Sequence, residues 1–324
     1  MLYSGRRFFL FLMGLMVLGT LFNPSYGQEE NENNPVLADP TIFFDEGVYY
    51  LYGTGGGKGD SDGFKVYTST DQQVWKEEGY ALKRGESYGT KGFWAPQVFK
   101  HKGKYYMAYT ANEHIAIAMA DHPAGPFRQQ QIAPLEAPVK IIDPFVWMDP
   151  SGIIYLYHVR LQKGNRIFVA EMNTSLTAMN ESTLKECINA TDHWEDTQQV
   201  PWKVTEGPTV LKHKGLYYMI YSANDFRNPD YAIGYATAKS PVGPWTKFKG
   251  NPIISTQNTK ENGTGHGDVF TGKNGEMGYV FHTHNSSTKV GPRKTAVMRL
   301  KFVQQKKAAD KLVADAATFR FLNK

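Results

Sequence analysis

Three carboxylates of this 324-residue chain stand in the same local setting. Asp39 lies in "LADPTIFF", Asp143 in "IIDPFVWM" and Glu206 in "TEGPTVLK", each at the head of an apolar run patterned for a β-strand. Two more runs of this kind open on "FWAPQVFK" and "GHGDVFTG", which bring Trp94 and His266. Acids crowded into a partly dry space repel one another, and one of them is forced to keep its proton. A protonated acid beside an ionised one suits cleavage of a glycosidic bond. One group donates to the leaving oxygen, while the other activates water or attacks the anomeric carbon. A third acid can orient the donor and raise its pKa by its negative charge. A single acid ahead of a strand can simply cap a turn. Three at equivalent places in separate units argue for a shared site. Trp94 suits stacking on a sugar and suits packing equally. His266 suits a hydrogen-bonded turn and also contact with a metal on a central axis.

The elements that must bring these residues together are visible as a repeat. "FKHKGKYYMAYTANEHIAIAMADHPAGPFRQ" from Phe99 and "LKHKGLYYMIYSANDFRNPDYAIGYATAKSPVGPWTK" from Leu211 share one grammar. It runs strand, tight Lys-Gly turn, strand, link, strand, then a Pro-Gly-Pro-aromatic turn. Looser copies begin at Thr41, Pro144 and Asp268. The unit starts Pro40, Pro96, Pro144, Pro208 and Asp268 are spaced by 56, 48, 64 and 60 residues. Five units of three or four antiparallel strands at that period predict an all-β, five-bladed β-propeller in a single domain over residues 35–324. A fourth, edge strand is expected at "WKEEGYAL" and at "WTKFKG". "QQKKAADKLVADAA" is expected as a helix, or as a polar loop before a last strand at "TFRFL". The innermost strand of each blade starts near the axis, so the heads converge. Pro40 is expected to hold Asp39 in an extended backbone.

The rest of the chain bounds the reading. Arg6 and Arg7 precede the apolar run "FFLFLMGLMVLGTLF", and "NPSYG" closes it with small residues. Residues 1–27 therefore read as a secretory signal peptide and 28–34 as a polar linker, with export to the periplasm or the medium. No other long apolar run follows, so no membrane span is expected in the mature chain. Loss of Arg6 and Arg7 takes the net charge from +5 to +3, too weak and dispersed for a nucleic-acid partner. Cys187 is the single cysteine, so no internal disulfide is expected. A monomer acting on carbohydrate is expected. Rim loops are expected at Gly53–Phe64, Arg84–Gly92 and Asn173–Lys203. The last carries Trp194 and Trp202, one expected to pack and the other to extend a subsite.

The ordered set "ADPTI", "WAPQV", "IDPFV", "EGPTVLKHKGLYYMIYSAN" and "GTGHGDVF" resembles glycoside hydrolase family 43 from about Pro35 to Arg299. The resemblance implies hydrolysis with inversion, on arabinofuranosides, β-xylosides, arabinan or β-1,3-galactan. It implies Asp39 as general base, Glu206 as general acid and Asp143 as the residue that tunes the acid. It places Trp94 in the pocket wall, His266 beside a central calcium or water cluster, and Arg293 as the sugar-contacting arginine. Two other classes stay open: a non-catalytic sugar-binding propeller, and a retaining propeller enzyme of the sucrose- or fructan-cleaving kind.

Overall fold

The computed structural model of the chain describes residues 1–2, 35–55, 62–306 and 308–322. The expected signal peptide and linker, and residues 56–61 of the glycine-rich insert, lie outside them. By its contacts the chain divides into Met1–Glu32 and Asn33–Lys324. Every strand among the described residues belongs to the second unit.

Five antiparallel sheets succeed one another along the chain. The first blade holds β1 (Leu37–Asp45), β2 (Val48–Gly55), β3 (Gly63–Ser69) and β4 (Lys76–Lys83). The second has three strands, β5 (Trp94–His101), β6 (Lys104–Ala111) and β7 (His114–Ala120). The third holds β8 (Ile141–Met148), β9 (Ile154–Leu161), β10 (Asn165–Met172) and β11 (Met179–Ile188). The fourth holds β12 (Thr205–His213), β13 (Leu216–Ala223), β14 (Ala232–Ala238) and the two-residue β15 (Thr246–Lys247). The fifth holds β16 (Gly265–Thr271), β17 (Met277–Thr283), β18 (Lys294–Val303) and β19 (Lys311–Phe321). Each first strand packs against the first strands of its two neighbours, and β1 meets β16, so the blades form a closed ring. This is the five-bladed β-propeller that the repeat predicts.

Local chemistry explains the hairpins. Lys102-Gly103 and Lys214-Gly215 both have positive φ at the two central positions. That is the two-residue turn whose twist matches paired strands. The Pro-Gly-Pro-aromatic turns dock on the neighbouring blade: Tyr52 Oη donates to the Pro123 carbonyl and Tyr157 Oη to the Pro241 carbonyl. A Cβ on Gly125, at φ +87°, would stand 2.3 Å from the Ala81 carbonyl oxygen, so no other residue fits that approach.

Apolar side chains gather at the seams between blades. Phe64, Phe93 and Tyr109 pack between blades one and two. Phe99, Leu135 and Leu156 fill the next seam, and Tyr157, Val210 and Tyr221 the third. Ile220, Tyr279 and Phe281 fill the fourth. The ring closes through Ile42, Leu51 and Trp75 of blade one against Phe270, Val280 and Val297 of blade five. Each such side chain contributes about 1.5–3 kcal/mol by burial. Among the described residues no strand is exchanged at the closure: the strands of blade one come from the beginning of the unit and those of blade five from its end.

Three expectations change here. Residues 311–317, expected as a helix or loop, instead extend the strand expected at "TFRFL" into one edge strand, which pairs with β18 from Val303↔Lys311 to Ala296↔Phe321. The stretch Asn173–Lys203 is not all loop, since it contains β11. Arg84–Gly92 is tied to blade two, where Tyr109 Oη donates to the Tyr88 carbonyl at 2.7 Å and the Tyr88 N–H to Gln129 Oε1 at 2.8 Å.

Candidate active site

Every first strand carries a β-bulge where it meets the axis. The ladder skips a residue between Ala38 and Thr41, Trp94 and Gln97, Ile142 and Phe145, Glu206 and Thr209, and Gly265 and Gly267. In each bulge one residue adopts positive φ: Asp39 at +46°, Ala95 at +47°, Asp143 at +55°, Gly207 at +59° and His266 at +40°. The five heads are therefore not equivalent. Asp39, Asp143 and His266 occupy the bulge, whereas Trp94 and Glu206 precede it by one residue. Adjacent strand residues ordinarily face opposite ways. The bulge re-aims the chain, so both sets open into one space. Asp39 is also not extended as Pro40 alone would demand; aspartate is among the few side chains that tolerate the left-handed region.

The neighbouring blade holds each bulge. The Ala95 N–H donates to Thr54 Oγ1 at 3.0 Å, and the Asp143 N–H to Thr110 Oγ1 at 2.9 Å. The His266 N–H donates to Ser222 Oγ at 2.8 Å, and the Asp39 N–H to His282 Nδ1 at 3.1 Å. Each acceptor pairs, on the second strand of the preceding blade, with the residue just before that blade's own bulge. In blade three this place belongs to Val159, which has no acceptor. There the Gly207 N–H turns to the Asp143 carboxylate, Oδ2, at 3.3 Å. Asp143 thus fixes the residue that follows Glu206. Gly207 itself has no room for a side chain, since its Cβ would lie 2.8 Å from the His266 ring.

A pocket of about 640 Å³ opens above the bulges. Asp39, Trp94, Asp143, Glu206, His266 and Arg293 all line it, so the structure brings these six residues to one place. Phe226 and Trp202 stand at its wall, 36% and 50% exposed. Trp194 instead packs on Tyr221, with ring centroids 5.7 Å apart.

The two sides of the pocket differ in charge. Asp39 Oδ1 lies 3.1 Å from Arg293 Nη1, 3.3 Å from His282 Nδ1 and 3.4 Å from His266 Nδ1. Thr54 Oγ1 donates to its other oxygen at 2.6 Å. Burial alone would push this carboxyl up, but Arg293, His266 and His282 outweigh it and hold it well below the ordinary value. His282 is buried and beside Arg293, which drives its own pKa down to about 3. His266 is likewise lowered by burial, against the pull of Asp39.

Glu206 meets uncharged donors. Tyr231 Oη donates to Oε1 at 2.8 Å and the Asn165 amide to Oε2 at 3.0 Å. Burial raises its pKa to about 7, the two donors oppose that, and the charges of Asp39 and Asp225 add to it. Asp143 is also pushed well up, by burial and by the charges of Glu206 and Asp39. The site therefore keeps Asp39 ionised and a proton on the Glu206 side near neutral pH.

Below the bulges lies a space of about 20 Å³, room for one water or one ion. Calcium takes six to eight oxygen ligands. Of the side chains lining it, Thr209 donates to Asp268, Gln97 bonds both ways with the Val146 backbone, Asp39 is held by Arg293 and Thr54, and Asp143 accepts from the Gly207 N–H. Among the described residues no group of three or more His, Cys, Asp or Glu is arranged to hold a metal. The residues present do not supply a calcium shell of their own.

Sequence reasoning missed His282, Thr54, Tyr231, Asn165 and Phe226. Thr54 and His282 were accessible through the repeat, as polar residues at matching places of the second strands. Asp225, Phe226 and Arg227 belong to the link between the second and third strands of blade four, which is longer than its counterpart in blade two. That difference in length was the available signal. Tyr231 and Asn165 carried none.

Among the described residues no helix is long and apolar enough to cross a membrane. The profile of the family described as glycosyl hydrolases family 43 matches residues 33–306. A solved endo-1,4-β-xylanase from Bacteroides thetaiotaomicron is 40% identical at a TM-score of 0.81, over 87% of this chain and 95% of that one. A β-D-galactofuranosidase from Aspergillus niger is 24% identical over 83% of this chain and 82% of its own length. An extracellular endo-α-(1→5)-L-arabinanase from Bacillus subtilis is 23% identical over 82% and 88%. With the propeller, the pocketed acids and the family match in agreement, the chain belongs to glycosyl hydrolases family 43 and is a glycoside hydrolase acting on O-glycosidic bonds.

Proposed function

We propose that the protein is an exported glycosidase that cleaves xylose- or arabinose-containing oligosaccharides with inversion at the anomeric carbon. Asp39 is the general base, Glu206 the general acid and Asp143 the residue that positions and tunes the acid. One observation carries the reading: the Arg293 cation and a hydroxyl face Asp39, while neutral donors surround Glu206. Asp39 takes a proton from water as the water oxygen attacks the anomeric carbon. Glu206 gives its proton to the leaving-group oxygen as the old C–O bond breaks. Asp39 ends protonated and Glu206 ionised, and exchange with solvent restores both. Asp143 supports the acid by holding the Gly207 N–H, which fixes the backbone that follows Glu206. Trp94, Phe226 and Arg293 form the wall against which the sugar rests. Proton NMR of the first-formed sugar tests the stereochemistry on a panel of xylo-, arabino- and galacto-oligosaccharides. The inverted anomer is expected, and a retained one overturns the assignment of Asp39 as a base. If no member of the panel is cleaved, the substrate reading is wrong.

Export is supported by the basic and apolar character of residues 6–22 and by extracellular relatives. N-terminal sequencing of the secreted protein is expected to start near Gln28. The mature protein acts as a monomer, to be checked by light scattering. Calcium enters only as a hydrated ion near His266. Chelation that leaves both melting temperature and activity unchanged removes it.

A further inference from the structure

Trp202 stands half exposed at the pocket wall, yet its indole is not free to turn. Its Nε1–H donates to Asn165 Oδ1 at 2.8 Å. The Asn165 amide nitrogen donates in turn to Glu206 Oε2 at 3.0 Å. Contacts of the Asn165 backbone with the residues between Trp202 and Glu206 hold the segment in place. The Asn165 N–H donates to the Lys203 carbonyl at 2.9 Å, and Thr205 Oγ1 to the Asn165 carbonyl at 3.2 Å. Gly164, at φ +110°, lets this segment approach, because a Cβ there would lie 2.6 Å from the Lys203 oxygen. Residues 202–206 thus wrap around the start of β10.

We propose that Trp202 does two things at once: its exposed ring is the platform for the leaving-group sugar, and its N–H is a positioning contact that fixes the Asn165 amide as a donor to Glu206. The inference rests on Glu206 being the general acid. The two ends of an amide are nearly isosteric, and rotation exchanges a donor for an acceptor. An acceptor facing Glu206 would hold the proton on the acid. A donor facing it favours the carboxylate and so favours departure of the proton. The indole N–H is a donor only, so it accepts just one orientation of the amide. The leaving oxygen is the atom that Glu206 must reach, and the ring that reaches Glu206 through one residue belongs on that side of the bond. Sugar stacked on this ring restrains the indole and, through it, the acid.

The test compares wild type, Trp202→Phe, Trp202→Ala and Glu206→Gln on aryl and alkyl glycosides of xylose, xylobiose and arabinofuranose. Leaving groups run from 2,4-dinitrophenol to methanol. Good leaving groups need no proton, so a damaged acid shows itself on poor ones. Trp202→Phe keeps a ring and loses the N–H. It is expected to lower kcat more on the alkyl than on the dinitrophenyl glycosides, by about tenfold in the ratio, a part of the 10²–10⁴ that a general acid supplies. Its alkaline pH limb is expected to move upward, because the Asn165 donor that favours the carboxylate is no longer fixed. Trp202→Ala is expected to show the same split and, in addition, a higher KM for oligosaccharides. If Trp202→Phe has the leaving-group dependence and the alkaline limb of wild type while Glu206→Gln shows a strong split, the positioning role is wrong and the acid assignment stands. If Glu206→Gln shows no split, the acid assignment fails and this inference fails with it.

Discussion

The Asp39 side and the Glu206 side of the pocket rest on the same backbone device and reach opposite electrical states. Asp39 sits in a bulge of blade one and faces Arg293, His266 and His282, all from blade five or the link between its strands. Glu206 sits one residue before a bulge of blade four and faces Tyr231 and Asn165, which carry no charge. Both carboxyls are buried to the same degree, 8% exposed. Burial therefore does not set their difference; the identity of the partners does. A fold that gives every blade the same bulge leaves the neighbouring blade to decide what each head becomes.

The largest test of this contrast is to neutralise Asp39. Asp39→Asn is expected to lower kcat by about 10²–10⁴-fold on every leaving group, the usual contribution of a general base. Asparagine accepts the left-handed backbone, so circular dichroism should show the fold retained. If Asp39→Asn recovers on dinitrophenyl substrates as a lost acid would, the two sides have been assigned the wrong way round.

Next comes the cation that separates them. Arg293→Met removes the charge first among those that hold Asp39 down. The acidic limb of the kcat/KM profile should then move up by about a unit or more, while the alkaline limb near 7 follows Glu206 and stays. A shift of the alkaline limb alone would mean that Arg293 serves the acid instead.

The two carboxyls also predict opposite linkage to stability. The folded pKa of Asp39 is depressed, so its contribution is present above the unfolded value near 3.8 and is lost as pH falls. The folded pKa of Glu206 is raised from 4.5 to about 7. Across that window the folded state binds a proton that the unfolded state has released, and stability declines as pH rises. Glu206→Gln should therefore melt higher than wild type at pH 8, by up to a few kcal/mol, with the gain shrinking by pH 5. Asp39→Asn should melt lower than wild type at pH 8. Thermal scans at both pH values check the pair, and equal shifts for the two variants would erase the contrast.

The smallest effect is expected from Thr54→Val. It deletes the donor to Asp39 and the acceptor of the Ala95 N–H while keeping the shape. A loss of about 1–3 kcal/mol in denaturant unfolding is expected, with a slight rise of the acidic limb. No loss at all would mean that the bulges do not depend on their neighbours.

Much of this was legible in the chain itself. The Lys-Gly hairpins and the Pro-Gly-Pro turns made five blades countable, and the acid ahead of three of them marked the pocket. The offset between Asp39 and Glu206 was not legible, because a bulge is set by pairing across strands rather than by the strand's own residues. Val159 looked like ordinary core. Its importance lies in what it withholds from Gly207, which only the neighbouring blades make visible. Asn165 and Tyr231 reach Glu206 from 41 and 25 residues away, and no local pattern announces such partners.

Ring closure without strand exchange has a temporal consequence. Leu37 and Thr295 exchange two hydrogen bonds across 258 residues, and the groups that keep Asp39 ionised come with the last blade. Closing so long a loop is slow compared with forming the hairpins inside each blade. A nascent chain can therefore carry four finished blades and still hold Asp39 with the wrong affinity for its proton. Turnover becomes a clock for the final docking step: in refolding, strand content should recover first, and catalysis only when the two ends of the unit meet.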